Sequence, residues 1–138
     1  MDDLERNKII IQRFNKEVIE ECNFDSFREL MDDNFINRTA LPSANDSNAM
    51  WNTFSNVLKP AFSNLNVEIY DQIAEGDKVT TRKTITGTHT GVLMGVEPTG
   101  KQIKIDVIDI VRLKDGKYIE HWGMNSLHLV LAELKKTE

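Results

Sequence analysis

The 138-residue chain holds a single cysteine, Cys22, so no internal disulfide can form. The residue lies among helix-forming neighbours, and packing rather than reactivity is its expected role. Long apolar runs are missing, which leaves no segment able to cross a bilayer as a helix. The first residues, Met1-Asp2-Asp3-Leu4-Glu5, are acidic and lack an apolar signal core, so the expected setting is a reducing cytoplasm. Repeats, low-complexity tracts and linkers are absent too, and one domain spanning residues 1–138 is expected. There is no phosphate-cradling glycine loop, no dinucleotide fingerprint, and no serine or cysteine placed with a base as a nucleophile. The three histidines, His89, His121 and His128, have no compact partner motif, so no metal site is expected. A formal net charge of -5 argues against nucleic acid or an anionic membrane as the main partner.

What is present reads as a helical first half and a stranded second half, an α+β pattern. Leu4, Ile11, Phe14 and Val18 mark an apolar stripe on a helix over about residues 3–22. Asn23 or Asp25 caps a short helix carrying Phe27, Leu30 and Met31, which Asp32-Asp33-Asn34 ends. Phe35-Ile36-Asn37-Arg38 reads as a short extended piece. After a polar loop, Asp46 or Ser47 caps a third helix bearing Trp51, Phe54 and Leu58, and Pro60 interrupts or ends it.

Alternation then takes over. Val67, Ile69 and Asp71 alternate with Glu68, Tyr70 and Gln72. A threonine-rich strand covers about residues 79–90, with Gly87 suggesting a kink or bulge. Strands over about 103–113 and 118–124 flank the hairpin signal Lys114-Asp115-Gly116-Lys117. Leu127, Leu131 and Leu134 mark a closing helix. Three helices followed by a long, curved, mostly antiparallel sheet predict a cone in which the N-terminal helices cover one sheet face and enclose a pocket. That pocket is the natural ligand site.

Several segments are familiar as an ordered set: Phe14-Asn15, Gly87-Thr88-His89-Thr90-Gly91, Pro98-Thr99-Gly100-Lys101, Asp109-Ile110-Val111-Arg112, and Asp115-Gly116-Lys117 followed by Glu120-His121-Trp122. Together they resemble the SnoaL-like polyketide cyclases of the nuclear transport factor 2-like superfamily, over about residues 4–134. The resemblance implies ring closure by intramolecular aldol condensation without cofactor or metal. It implies equally that the scaffold can host isomerases, dehydratases and other lyases, hydrolases or non-enzymes. Cyclase chemistry of this kind needs a titratable group in an apolar pocket. One family pocket position matches Asp109. A second, an Asp in the cyclases, falls on Gly123, and a further acidic position falls on Ser126. The family's Asn after the second helix matches Asn37.

Two hairpin registers are open. A two-residue turn at Asp115-Gly116 pairs Asp109 with Trp122 and puts Glu120 on its face. A three-residue turn with a glycine bulge pairs Asp109 with His121 and adds Gly123 to that face. The resemblance favours the second. In it Asp109 and His121 are the candidate catalytic pair, a carboxylate that orients an imidazole. Asn37, His89, Trp51, Phe14 and Phe54 are candidate substrate-binding residues, with Trp51 as a lid and Asn37 or His89 orienting a carbonyl. Packing is the plain alternative for the aromatic residues, and a buried polar pair for Asp109 with His121. Lys83 shares the inward parity; in the interior it would need a partner such as Asp109, and the expected course is that its stem lies along the sheet and its ammonium reaches water. Trp122 and Glu120 then face outward. The resemblance implies a homodimer through that outer sheet face, with a small hydrophobic molecule as ligand.

Overall fold

In a computed structural model, residues 1–136 can be described; Thr137 and Glu138, the end of the expected domain span, lie outside them. Helix α1 (Asp3–Phe14) starts at Asp2, whose carboxylate accepts the Glu5 N–H at 2.8 Å and so satisfies one of the free donors of the first turn. The helix then widens into a π-helical stretch (Asn15–Glu20), shorter than the single helix expected to residue 22. Leu4 is exposed, so the buried stripe begins at Ile11 and continues through Phe14 and Val18. Asn23 caps α2 (Phe24–Leu30), accepting from the Ser26 N–H. Met31 belongs to strand β1 (Met31–Asn37), not to the helix, and the Asp32-Asp33-Asn34 run lies inside that strand. Asp46 caps α3 (Ser47–Asn52), which runs on through a second π-helical stretch (Thr53–Leu58) and a last turn containing Pro60 (Lys59–Ala61).

The remaining chain forms β2 (Phe62–Glu75), β3 (Lys78–His89), β4 (Gln102–Lys114), β5 (Lys117–Asn125) and helix α4 (Leu127–Lys135). The five strands make one open sheet in the order β1-β5-β4-β3-β2. All neighbours are antiparallel except β1, which runs parallel to β5. The helical segments that precede the long strands cover the inner sheet face, in the α+β arrangement that the sequence predicts. None of the described helices is long and apolar enough to cross a membrane.

Three local deformations set the faces. The ladder between β3 and β4 is unbroken through Gly87, so the expected kink is absent there. The irregularity falls on the partner strand instead, between Ser63 and Asn66, with Asn64 at φ 56°. A Cβ at residue 87 would lie 3.0 Å from the Phe62 Cβ, so this glycine admits Phe62. A second irregularity in β2, between Ile69 and Asp71, places Asp71 opposite Arg82. Asp71 thereby turns to the outer face, and Gln72 turns toward α1, where it bonds Gln12 and the Lys8 carbonyl.

The third deformation decides the hairpin. Lys114 pairs with Lys117 across a two-residue turn, with φ of 52° at Asp115 and 78° at Gly116, as a primed turn requires. The register then shifts between Arg112 and Leu113, leaving Ile119 as the extra residue in β5. Asp109 therefore stands opposite Gly123, and His121 opposite Val111. Neither register read from the sequence holds. The bulge inside the strand nevertheless restores the parity that the glycine-bulge turn would have provided. Asp109, His121 and Gly123 share the inner face, and Glu120 and Trp122 the outer one.

Candidate functional site

Between the helices and the inner sheet face lies a cavity of about 480 Å³, a size suited to a small organic molecule. Its walls are largely apolar: Phe14 and Ile19 from the first helical segment, Met50, Phe54 and Leu58 from the third, and Ile85, Ile105 and Val107 from the sheet. Phe14 stacks on Tyr118 with ring centroids 4.1 Å apart and meets Phe54 edge-on at 5.9 Å. Both π-helical stretches border the cavity. The wider winding of a π-turn re-aims side chains that a regular helix would direct elsewhere.

The polar floor is built by four strands, the first π-helical stretch and the loop after β1. Asp109 on β4 has its Oδ2 at 3.4 Å from both Lys83 Nζ and His121 Nε2. The Lys83 and Asp109 side chains are 5% and 8% exposed, and that of His121 16%. Lys83 donates to Asn15 Oδ1 at 2.6 Å, and Asn15 itself donates to the Ile11 carbonyl at 2.8 Å, across the start of the π-turn. On the other side His121 Nδ1 lies 3.0 Å from Asn37 Oδ1. That same oxygen accepts from the Thr39 hydroxyl at 3.1 Å and the Thr39 N–H at 3.3 Å, and the Thr39 oxygen accepts from the Gly123 N–H at 3.0 Å. Asp109 Oδ1 is buried with no hydrogen-bond partner. Unpaired acceptors of this kind are uncommon in folded interiors.

Burial acts to raise the pKa of Asp109. The Lys83 charge, followed by the hydrogen bond and charge of His121, outweighs it and holds the carboxyl below its ordinary value. The nearby Tyr118 hydroxyl is pushed well above its usual value, first by burial and then by the Asp109 charge, so it remains a proton donor. The floor thus offers an ionised carboxylate, an imidazole, an ammonium and a phenol beneath apolar walls. Such a set can exchange protons with a bound molecule in a medium that strengthens each electrostatic contact. Among the described residues no group of three His, Cys, Asp or Glu is placed to hold a metal ion.

The profile of the SnoaL-like polyketide cyclase family matches residues 9–134. The chain belongs to this family. Among solved structures, AclR from Streptomyces galilaeus, named as a candidate hydroxylase, superimposes with a TM-score of 0.84 at 24% identity, covering 97% of this chain and 83% of AclR. A candidate SnoaL-like polyketide cyclase from Jannaschia sp. CCS1 gives a TM-score of 0.81 at 24% identity, with coverage of 97% and 95%. IdmH from Streptomyces antibioticus, a candidate polyketide cyclase, gives 0.79 at 23% identity, with coverage of 94% and 98%. These likenesses show the fold. No curated protein matches the chain.

Of the residues singled out in this SnoaL-like chain from sequence, Asp109, His121, Asn37, Phe14 and Phe54 border the cavity. His89 does not. It is fully buried at the far end of β3, where the Phe62 ring lies 6.0 Å away, centroid to centroid. The Thr99 N–H donates to its Nδ1, so the imidazole ties down the loop between β3 and β4. Trp51 also stands apart from the cavity. Its ring lies 5.1 Å from those of both Phe24 and Phe27 and packs α3 onto α2. Met50 and Phe54 share the cavity-facing side of that helical segment, and Trp51 is turned about 100° from Met50. Lys83 does not reach water, because Asn15 and Asp109 hold its ammonium in the interior. Asn15 and Tyr118 were not legible as site residues. The inward parity of Lys83 with Thr81 and Ile85 was the available sign of a buried charge needing partners.

Proposed function

We propose that the protein encloses a small apolar or polyketide-like molecule in this cavity and performs cofactor-free acid/base chemistry on it, with intramolecular aldol cyclisation as the reaction. The observation carrying this reading is the contact of Asp109 with His121 at the floor of an apolar cavity. In the proposed reaction these two residues handle the proton, while Asn37 holds the ring of His121 in place. The surrounding apolar walls exclude water and would keep the enolate over the carbonyl it attacks. We place the protein in the cytoplasm as a homodimer joined through the outer sheet face.

The test is turnover of a panel of linear and partly cyclised polyketone esters by the wild type and by Asp109→Asn. Cyclisation that disappears in a folded variant supports the reading, and unchanged turnover ends it. A second reading, a non-catalytic binding module, is favoured by one observation. The family's acidic position is Gly123, and the remaining carboxylate, Asp109, is a weakened base because its acidity is increased. Ligands that bind tightly and are released unaltered by the wild type would favour that reading.

A further inference from the structure

Gly123 lies within β5, directly opposite Asp109, and is not among the glycines that adopt a positive φ. Its backbone can therefore be adopted by any residue, and glycine inside a strand is ordinarily unfavourable. What its absent side chain supplies is space. A Cβ at this position would lie 2.6 Å from His121 Cε1, closer than such atoms come, and a tight 3.0 Å from His121 Nε2. The imidazole is folded across residue 123, and in that position its Nε2 reaches Asp109.

The opposite edge of the ring has a fixed partner. Asn37 Oδ1 already accepts twice from Thr39, which orients the amide with its oxygen toward His121 Nδ1. Nδ1 therefore donates. Nε2 faces the carboxylate Oδ2, another acceptor. Both ring nitrogens point at acceptors, an environment that suits the ring carrying two protons. The charged groups facing this ring are Asp109 and, behind it, Lys83.

We propose that Gly123 is a positioning residue that exchanges a side chain of its own for the His121 imidazole, so that a doubly protonated His121, rather than a group at 123, presents the pocket's transferable proton. This inference deepens the acid/base reading above and rests on it for the role of the proton. The placement of the ring is tested without any substrate. His121 and a side chain at 123 are mutually exclusive, and their effects must be coupled.

The experiment records long-range ¹H–¹⁵N spectra of the His121 ring in the ligand-free wild type, Gly123→Ala and Asp109→Asn, with thermal melts of Gly123→Ala in the wild-type and His121→Ala backgrounds. The expected wild-type spectrum has both nitrogens protonated, and Gly123→Ala moves the ring signals in the same direction as Asp109→Asn. The melting loss caused by Gly123→Ala is expected to shrink to a small fraction once His121 is alanine, because the clash is gone. If Gly123→Ala does not fold, the folding of His121→Ala/Gly123→Ala reads out the same coupling. Equal melting losses in both backgrounds, failure of the double variant to fold, unmoved ring signals, or a neutral single-tautomer ring in the wild type would each overturn the proposal. These outcomes concern the apo protein, so they are distinct from a failure of the turnover assay.

Discussion

Lys83 and Asp109 face each other at 3.4 Å in the interior, on adjacent strands and both almost wholly removed from water. Two charges taken out of water cost several kcal/mol each, and their attraction recovers this only when further bonds complete the arrangement. Here Asn15 completes the ammonium and His121 completes one carboxylate oxygen, while the second oxygen has no partner. An apolar pair of similar volume would serve stability at least as well, so the pair is consistent with a role in handling a ligand.

Removing only one charge should expose the desolvation cost of the other. Lys83→Met is expected to lower stability by about 3–5 kcal/mol at neutral pH. Lys83→Met/Asp109→Asn should recover much of that loss, because neither charge of the Lys83–Asp109 pair is then left without the other. Urea denaturation of the two variants measures both values. Similar stabilities for the single and double variants would contradict the coupling.

The stabilising contribution of Asp109 has a defined pH sign. Its folded value is depressed, so the contribution is complete above the unfolded carboxylate range and is lost as pH falls through the lower folded value. The stability gap between wild type and Asp109→Asn should narrow as pH falls below about 4. Denaturation curves at a series of acidic pH values test this. A gap that widens on acidification would be inconsistent with a depressed carboxyl.

Gly91 is required by a close approach that its place in a loop does not announce. A Cβ there would lie 2.0 Å from the Pro60 carbonyl oxygen, and the Gly91 N–H donates to the Ala61 carbonyl at 3.0 Å. Both neighbours are backbone and cannot rotate away. Gly91→Ala is expected to cost about 2 kcal/mol or more, measured by thermal melting. A variant as stable as wild type would show that the turn before β2 can shift freely.

The outer sheet face carries apolar residues suited to a second copy. Ile108 and Met124 are cross-strand partners, 52% and 76% exposed, on the same face as Trp122, over which the Lys78 ammonium lies. If dimerisation uses this face, Ile108→Asp should shift the protein toward monomer in sedimentation experiments while leaving the fold unchanged. A wild-type monomer at high concentration would remove this interface.

Much of the architecture was legible because it depends on period. The stripe from Ile11 to Val18 and the alternation through β3 are local patterns, and they place the helices over one face of a sheet. The inward parity of Asp109, His121 and Gly123 was also legible, given one bulge somewhere in the hairpin. Where that bulge falls was not, because β5 carries it at Ile119 and no turn residue marks the spot. Likewise, the irregularity before Asp71 reverses an otherwise clean alternation of β2.

The amino-acid sequence by itself determined the α+β class and the order of elements, since these follow from side-chain period and turn chemistry, and its ordered motifs carried the resemblance to the family. Only the tertiary structure decided which side chains meet. Lys83 finds Asn15 across 68 residues, His121 crosses Gly123 to Asp109, and Trp51 and His89 are drawn away by Phe24, Phe27 and Phe62. Such meetings depend on bulges, π-turns and packing between distant segments, which shift a side chain by one position without leaving a periodic trace in the chain.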